Sequence, residues 1–117
     1  MNNSAPVLWT PDPNRVANAR LTSFTREAER RAGRTLGDYR ALHAWSIDDK
    51  AAFWSTVWDA CGVIGDRGER ALVDADAMPG ARFFPDATLN FAANLLRRDD
   101  DGVAIIATDE SAVERRL

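Results

Sequence analysis

The apolar positions of this chain fall at helical intervals over its first half and lose that rhythm in its second. Ala17, Leu21, Phe24 and Ala28 step by four, three and four, which lines them on one helical face. Pro11-Asp12-Pro13 supplies a start, with Asp12 as N-cap and Pro13 at the first helical position, and Gly33 supplies a stop. One helix is therefore predicted between them, with Glu27 and Arg31 paired across a turn. Asp38 can cap a second, shorter helix through Tyr39, Leu42 and Trp45. Ser46 followed by Asp49 resembles a capping box for a third, in which Phe53, Trp54, Val57, Trp58 and Cys61 make a broad apolar face. Asp48 and Asp49 suit the positive end of that helix, and Gly62 follows its last turn.

Beyond Gly62 the punctuation thickens: Gly65, Gly68, Pro79, Gly80 and Pro85 mark a loop-rich connector with a short strand at Ala71-Leu72-Val73. Leu89, Ala92, Ala93 and Leu96 have helical spacing and predict a fourth short helix before the charged turn Arg97 to Asp101, whose acidic triplet faces water. Val103 to Ala107 reads as a buried strand, and Val113, Arg115 and Leu117 alternate with Glu114 and Arg116 as its half-buried partner. The expected fold class is mainly α with a small β-hairpin, divided into an extended arm over 1–11, a helical part over 12–98 and a hairpin over 102–117. A lone hairpin is marginal in water, so the chain is expected to be a truncated piece of something longer. It contains neither an internal repeat nor a low-complexity tract.

Composition narrows the function classes. The 117 residues suit one small domain, and 45% hydrophobic residues beside 28% charged ones predict a folded chain. A net charge of -3, with arginines interleaved among acids, argues against a nucleic-acid binder. A single cysteine, Cys61, can form neither an internal disulfide nor a thiolate cage, and a reducing cytoplasm is the expected location. The sequence from Met1 to Pro6 lacks the basic start and apolar run of a secretory signal, and no stretch approaches the ~20 apolar residues of a membrane span. Lys50 is the one lysine, which reflects coding composition rather than chemistry.

Each candidate for chemistry has a plainer reading that is preferred. Gly62, Gly65 and Gly68 follow a helix rather than a strand, match no phosphate-loop spacing and precede no lysine, so they read as a turn. Asp74 and Asp76 have the Asp-x-Asp form that can hold a divalent cation, but two carboxylates make a poor cage and read as caps or solvated acids. His43 is the single histidine and has no partner for a metal site, nor a serine elbow for a triad, so it reads as structural or surface. Cys61, on the apolar face of the third helix, reads as packing, and the tryptophans at helical spacing read as core rather than a base-stacking platform. No catalytic, cofactor-binding or metal-ligating residue is assigned.

Three stretches taken together carry a resemblance. The first is Leu8-Trp9-Thr10-Pro11 leading into Arg15 to Phe24, and the second is Leu42-His43-Ala44-Trp45-Ser46 followed by Phe53-Trp54 and Val57-Trp58-Asp59. The third and most specific runs from Met78-Pro79-Gly80-Ala81-Arg82-Phe83-Phe84-Pro85 into Leu89-Asn90-Phe91-Ala92-Ala93-Asn94-Leu95-Leu96. In this order they resemble the N-terminal region of the acetoacetyl-CoA synthetase family, within the acyl-adenylate-forming superfamily. Ala93 stands where the family pattern has glutamate, and Phe84 where tryptophan is common. The continuation Leu95-Leu96-Arg97-Arg98 differs from the Asp-Arg-His run of the related acetyl-CoA synthetases.

The resemblance implies that 12–98 is a helical N-terminal extension, of the acetyl-CoA synthetase N-terminal type, packed on a large adenylate-forming domain whose first hairpin is 102–117. It implies a parent ligase of lipid metabolism that converts acetoacetate, ATP and CoA to acetoacetyl-CoA, AMP and diphosphate. ATP, Mg and CoA would be handled there, with no cofactor held in this segment. The phosphate loop, the adenine-contacting segment, the hinge aspartate and the catalytic lysine of the family have no counterpart here, so the segment is expected to be structural. Its expected partner is the remainder of that domain, with no nucleic acid and no membrane. A free-standing helical interaction module, and the equivalent segment of an acetyl- or propionyl-CoA synthetase, remain as alternative readings.

Overall fold

Caps decide where the helices of this chain begin and end. The structure, a computed structural model, describes residues 7–116. Asp12 accepts hydrogen bonds from the backbone N–H groups of Asn14 and Arg15, opening α1 (Pro13–Ala17) with Pro13 in its first turn. The predicted single helix then breaks. Both the backbone N–H and the side-chain amide of Asn18 donate to the Asn14 carbonyl, and Ala19 is extended, so α2 (Arg20–Ala32) begins afresh. Gly33, left-handed at φ 66°, ends α2 as expected. Asp38 caps α3 (Tyr39–Asp48) through the Ala41 N–H.

The cap of α4 (Lys50–Ala60) is Asp49, which accepts from the Ala52 N–H at 3.0 Å, and not Ser46. The Ser46 hydroxyl turns back onto the His43 carbonyl inside α3, and Asp48 is the last residue of α3 rather than the first turn of α4. One residue thus separates the two helices, and Asp49 serves both as end and as start.

The core is small and lies where α2, α3 and α4 meet. Ala28, Leu42 and Trp45 are buried there together with Leu36, from the loop after α2, and Phe24, Ala32, Ala41, Ala52 and Phe53 pack around them. Leu36 is drawn in because its N–H and that of Gly37 both donate to Glu29 Oε1, at 2.9 and 3.3 Å. Phe53 meets Phe24 and Trp45 edge-on, with ring centroids 5.8 and 5.9 Å apart. The expected tryptophan core is therefore corrected: Trp45 is buried, Trp58 is half-buried, Trp54 is 41% exposed, and Cys61 at the end of α4 is exposed. The residue that α4 buries fully is Thr56, whose hydroxyl satisfies itself on the Ala52 carbonyl at 2.8 Å.

The second half carries more sheet than a single hairpin. Three two-stranded antiparallel sheets occur among the described residues. β1 (Gly65–Asp66) pairs with β4 (Thr88–Leu89), β2 (Leu72–Val73) with β3 (Arg82–Phe83), and β5 (Ile106–Thr108) with β6 (Glu114–Arg116). The Ala71-Leu72-Val73 strand is present at its last two positions. Leu89, predicted helical, belongs to β4, and α5 (Phe91–Leu95) is capped by Asn90 and stops before Leu96. Both strands of the last hairpin are exposed on every residue, which corrects the buried strand expected at Val103 to Ala107 and its half-buried partner. Leu117 and residues 1–6 of the expected arm lie outside the described residues.

Candidate functional site

The residues singled out for chemistry do not come together. His43 is exposed on α3 and stacks on Tyr39, with ring centroids 6.2 Å apart. Asp74 and Asp76 are engaged separately: Arg82 meets Asp74 at 3.3 Å, and Lys50 reaches Asp76 at 3.1 Å and the Ala75 carbonyl at 3.3 Å. Among the described residues no group of three His, Cys, Asp or Glu side chains could hold a metal ion. Asp59 takes two arginines, Arg31 from α2 at 2.6 Å and Arg67 from the following loop at 3.3 Å. Glu27 pairs with Arg30 instead of with Arg31.

The glycine cluster is explained by chain crossings. A Cβ at Gly65 would stand 2.7 Å from both the Leu89 Cβ and the Thr88 carbonyl oxygen, so β1 can lie against β4 only as glycine. A Cβ at Gly68 would come nearer still to the Cβ of Asp86, whose carboxylate forms a two-pronged pair with Arg70, Nε to Oδ2 at 2.7 Å. The Arg70 side-chain hydrogen bonds hold the Asp86 carboxyl below the usual carboxylate range, outweighing the desolvation that opposes them, with the Arg70 charge adding a lesser pull.

The stretch Met78 to Leu96 is where the sequence is most distinctive, and it builds two features. The first is a clamp on the end of α4. Asn94, on α5, accepts from the Ile64 N–H at 2.8 Å and donates to the Ile64 carbonyl at 2.7 Å, as a neighbouring strand would. Arg97 then bonds the Asn94 carbonyl and side chain and the Cys61 carbonyl at 3.0 Å, placing a cation at the negative end of α4. The sequence placed Asn90 and Asn94 in the family-like stretch and Arg97 in a charged turn, with no role assigned to any of them. Two asparagines four apart with an arginine three further on, in a helix too short to stand alone, were the available signal.

The second feature is an apolar groove. Trp54, Val57 and Trp58 of α4, Val63 beyond it, and Phe83 and Phe84 line a cavity of about 400 Å³. Trp54 meets Phe83 with centroids 5.5 Å apart, and Trp58 meets Phe84 at 5.0 Å. Phe84 has φ 46°, a left-handed backbone that a bulky L-residue adopts at a cost of about 1–3 kcal/mol. It is held by its N–H on the Ala71 carbonyl and by its own carbonyl accepting from Ala87, both at 3.0 Å. That turn aims the ring at Trp58 rather than along the β2–β3 ladder.

A helical core is thus joined to paired short strands through an aromatic seam. Residues 39–95 match the family Acetyl-coenzyme A synthetase N-terminus, and the chain is similar to the N-terminal region of adenylate-forming acyl-CoA synthetases. Within that class it corresponds to the N-terminal region of acetoacetyl-CoA synthetases. It is 48% identical over 110 residues to the acetoacetyl-coenzyme A synthetase of Rhizobium meliloti (strain 1021), covering 94% of this chain and 17% of that protein. The solved structure of the acetoacetyl-CoA synthetase from Streptomyces lividans superposes with a TM-score of 0.76 at 35% identity, over 96% of this chain and 18% of that one. A malonamoyl-CoA synthetase of Penicillium aethiopicum is 34% identical over 112 residues, covering 89% of this chain and 15% of that protein. The chain spans about a sixth of the length of the curated relatives it matches.

Proposed function

We propose that this chain serves as the structural N-terminal segment of an ATP-dependent acid:CoA ligase, in which acetoacetate, ATP and CoA become acetoacetyl-CoA, AMP and diphosphate. The observation that carries the reading is the 48% identity, sustained over 94% of the chain, to an enzyme named for that product. The segment is not catalytic by itself. Stabilising a transferring adenylyl group requires preorganised cations and phosphate-cradling amides, whereas Lys50 is engaged by Asp76 and the Ala75 carbonyl, and Arg31, Arg67, Arg70 and Arg82 pair with acids of this chain. ATP, Mg and CoA are then handled by the adenylate-forming remainder of the ligase, against which 12–98 packs as a helical extension and to which 102–117 contributes its first hairpin. The cytoplasm, where those substrates are, is the proposed location. Among the described residues no helix is long and apolar enough to cross a membrane.

The acid is selected elsewhere in the ligase. A malonamoyl-CoA synthetase and an acetoacetyl-CoA synthetase are equally similar to this segment, at 34% and 35% identity, although their names give different acids. The test joins this chain to the remaining five-sixths of the Rhizobium meliloti enzyme and scores AMP release and thioester formation with acetoacetate, acetate, propionate and butyrate, beside the 117-residue chain alone. The joined protein turns over acetoacetate and the chain alone releases no AMP. Turnover by the chain alone overturns the structural reading, and a preference for acetate or propionate would move it to those ligases.

A further inference from the structure

The chain exposes far more surface than its mass requires. Its accessible area is 9834 Å², where a compact monomer of 12.9 kDa exposes about 6,300 Å². Its radius of gyration is 19.7 Å, where about 13 Å is expected for this length. The surplus, on the order of 3,500 Å², is several times the roughly 800 Å² per partner that a standard stable interface covers. Much of it is apolar, including Trp9, Trp54, Phe83, Phe91, Leu95 and Ile106.

Within that surface the groove between α4 and the β2–β3 hairpin is concave, already formed and lined by apolar side chains throughout. Its two aromatic walls belong to elements distant in sequence, and Phe84 is held in a costly backbone conformation that keeps the second wall upright. Such a groove accepts one or two apolar side chains from a rigid neighbour. A second copy could fill it only with an apolar side chain from elsewhere on its own surface, because the same concavity lies open on both copies. The relatives accompany this region with five times its length of further polypeptide, which is enough to cover the surplus area.

We infer that the Trp54–Trp58–Phe83–Phe84 groove is the anchoring seat for an apolar side chain of the adenylate-forming remainder of an acetoacetyl-CoA-synthetase-type polypeptide. This rests on the reading proposed above and adds which surface makes the joint. Hydroxyl-radical footprinting compares the 117-residue chain with the chimera carrying the Rhizobium meliloti remainder, read at Trp54, Trp58, Phe83 and Phe84, with AMP release measured on the same chimera. The groove residues of the chimera lose reactivity several-fold relative to the isolated chain. An active chimera whose groove reacts as freely as in the isolated chain overturns the seat and leaves the ligase reading standing. An inactive chimera with a protected groove removes the ligase reading and keeps the seat, and an inactive one with a reactive groove removes both. If protection instead rises with concentration in the isolated chain as it dimerises, a second copy is the occupant and the inference fails. A Val63→Trp variant, which fills the groove without removing a wall, lowers the melting temperature of the chimera and leaves that of the isolated chain unmoved.

Discussion

Gly65 and Trp45 occupy opposite ends of what a single residue can do here. Adding one methyl at Gly65 forces β1 off β4, because the colliding atoms are the Leu89 Cβ and a backbone carbonyl that cannot rotate away. A Gly65→Ala variant should lose 1–3 kcal/mol, about the usual cost of overpacking, whereas Gly33→Ala, with nothing within 4 Å, carries only the left-handed strain of about 1 kcal/mol. Urea melts of the two variants give that ordering, and an equal loss would show that the β1–β4 crossing is loose. Trp45→Ala empties the core and should cost about 3–5 kcal/mol, while Trp54→Ala in the isolated chain should cost less, about 1–3 kcal/mol, because 41% of that residue is already exposed to water. The Asp86 carboxyl titrates below its unfolded value of about 3.9. The stability it contributes is therefore present above that value and lost as pH falls through the folded one. Acid melts below about pH 4 should lose part of their slope in Asp86→Asn, and because the pair is exposed the difference should shrink at high salt.

At the scale of elements, the helices obey local chemistry and the strands do not. Asp12, Asp38 and Asp49 each place a carboxylate on an N–H of the following turn, a relation between residues three or fewer apart. Asp49→Ala should cost about 1 kcal/mol and let α3 and α4 fray toward each other, seen as faster amide exchange at Ala51, Ala52 and Phe53. Unchanged exchange there would show that packing, not the cap, sets the junction. The Ser46 capping box failed because two acids in succession offered a better oxygen one turn later, and the serine hydroxyl found a carbonyl in its own helix. Two-residue strands have no periodicity to detect. β1 and β4 are recognised only once the chain has brought residues 65 and 89 together. Asn94 acts in the same way, closing the ladder with a side chain across thirty positions.

For the whole molecule, the small buried core at the meeting of α2, α3 and α4 and the spread of the remainder predict uneven stability. Amides of β5 and β6 should exchange near the unfolded rate in the isolated chain, while those around Leu42 and Trp45 exchange slowest. Slow exchange over 106–116 in a monomeric sample would mean that the hairpin stands alone. The sequence by itself determined the helix starts at Asp12 and Asp38 and the stop at Gly33, because caps and turns act within a few residues, while the break at Asn18 and the start of α4 at Asp49 were not read from it. Similarity of three ordered stretches carried the class of protein as well, because motif and spacing are properties of the string. Which aromatic side of α4 faces the core, which arginine finds Asp59 and how Phe84 comes to stand against Trp58 were decided only by tertiary structure. Each depends on segments tens of residues apart arriving at one place. Burial is a property of that arrangement: Trp45 and Trp54 are both tryptophans on helices, and only the one facing α2 and the Leu36 loop is taken out of water.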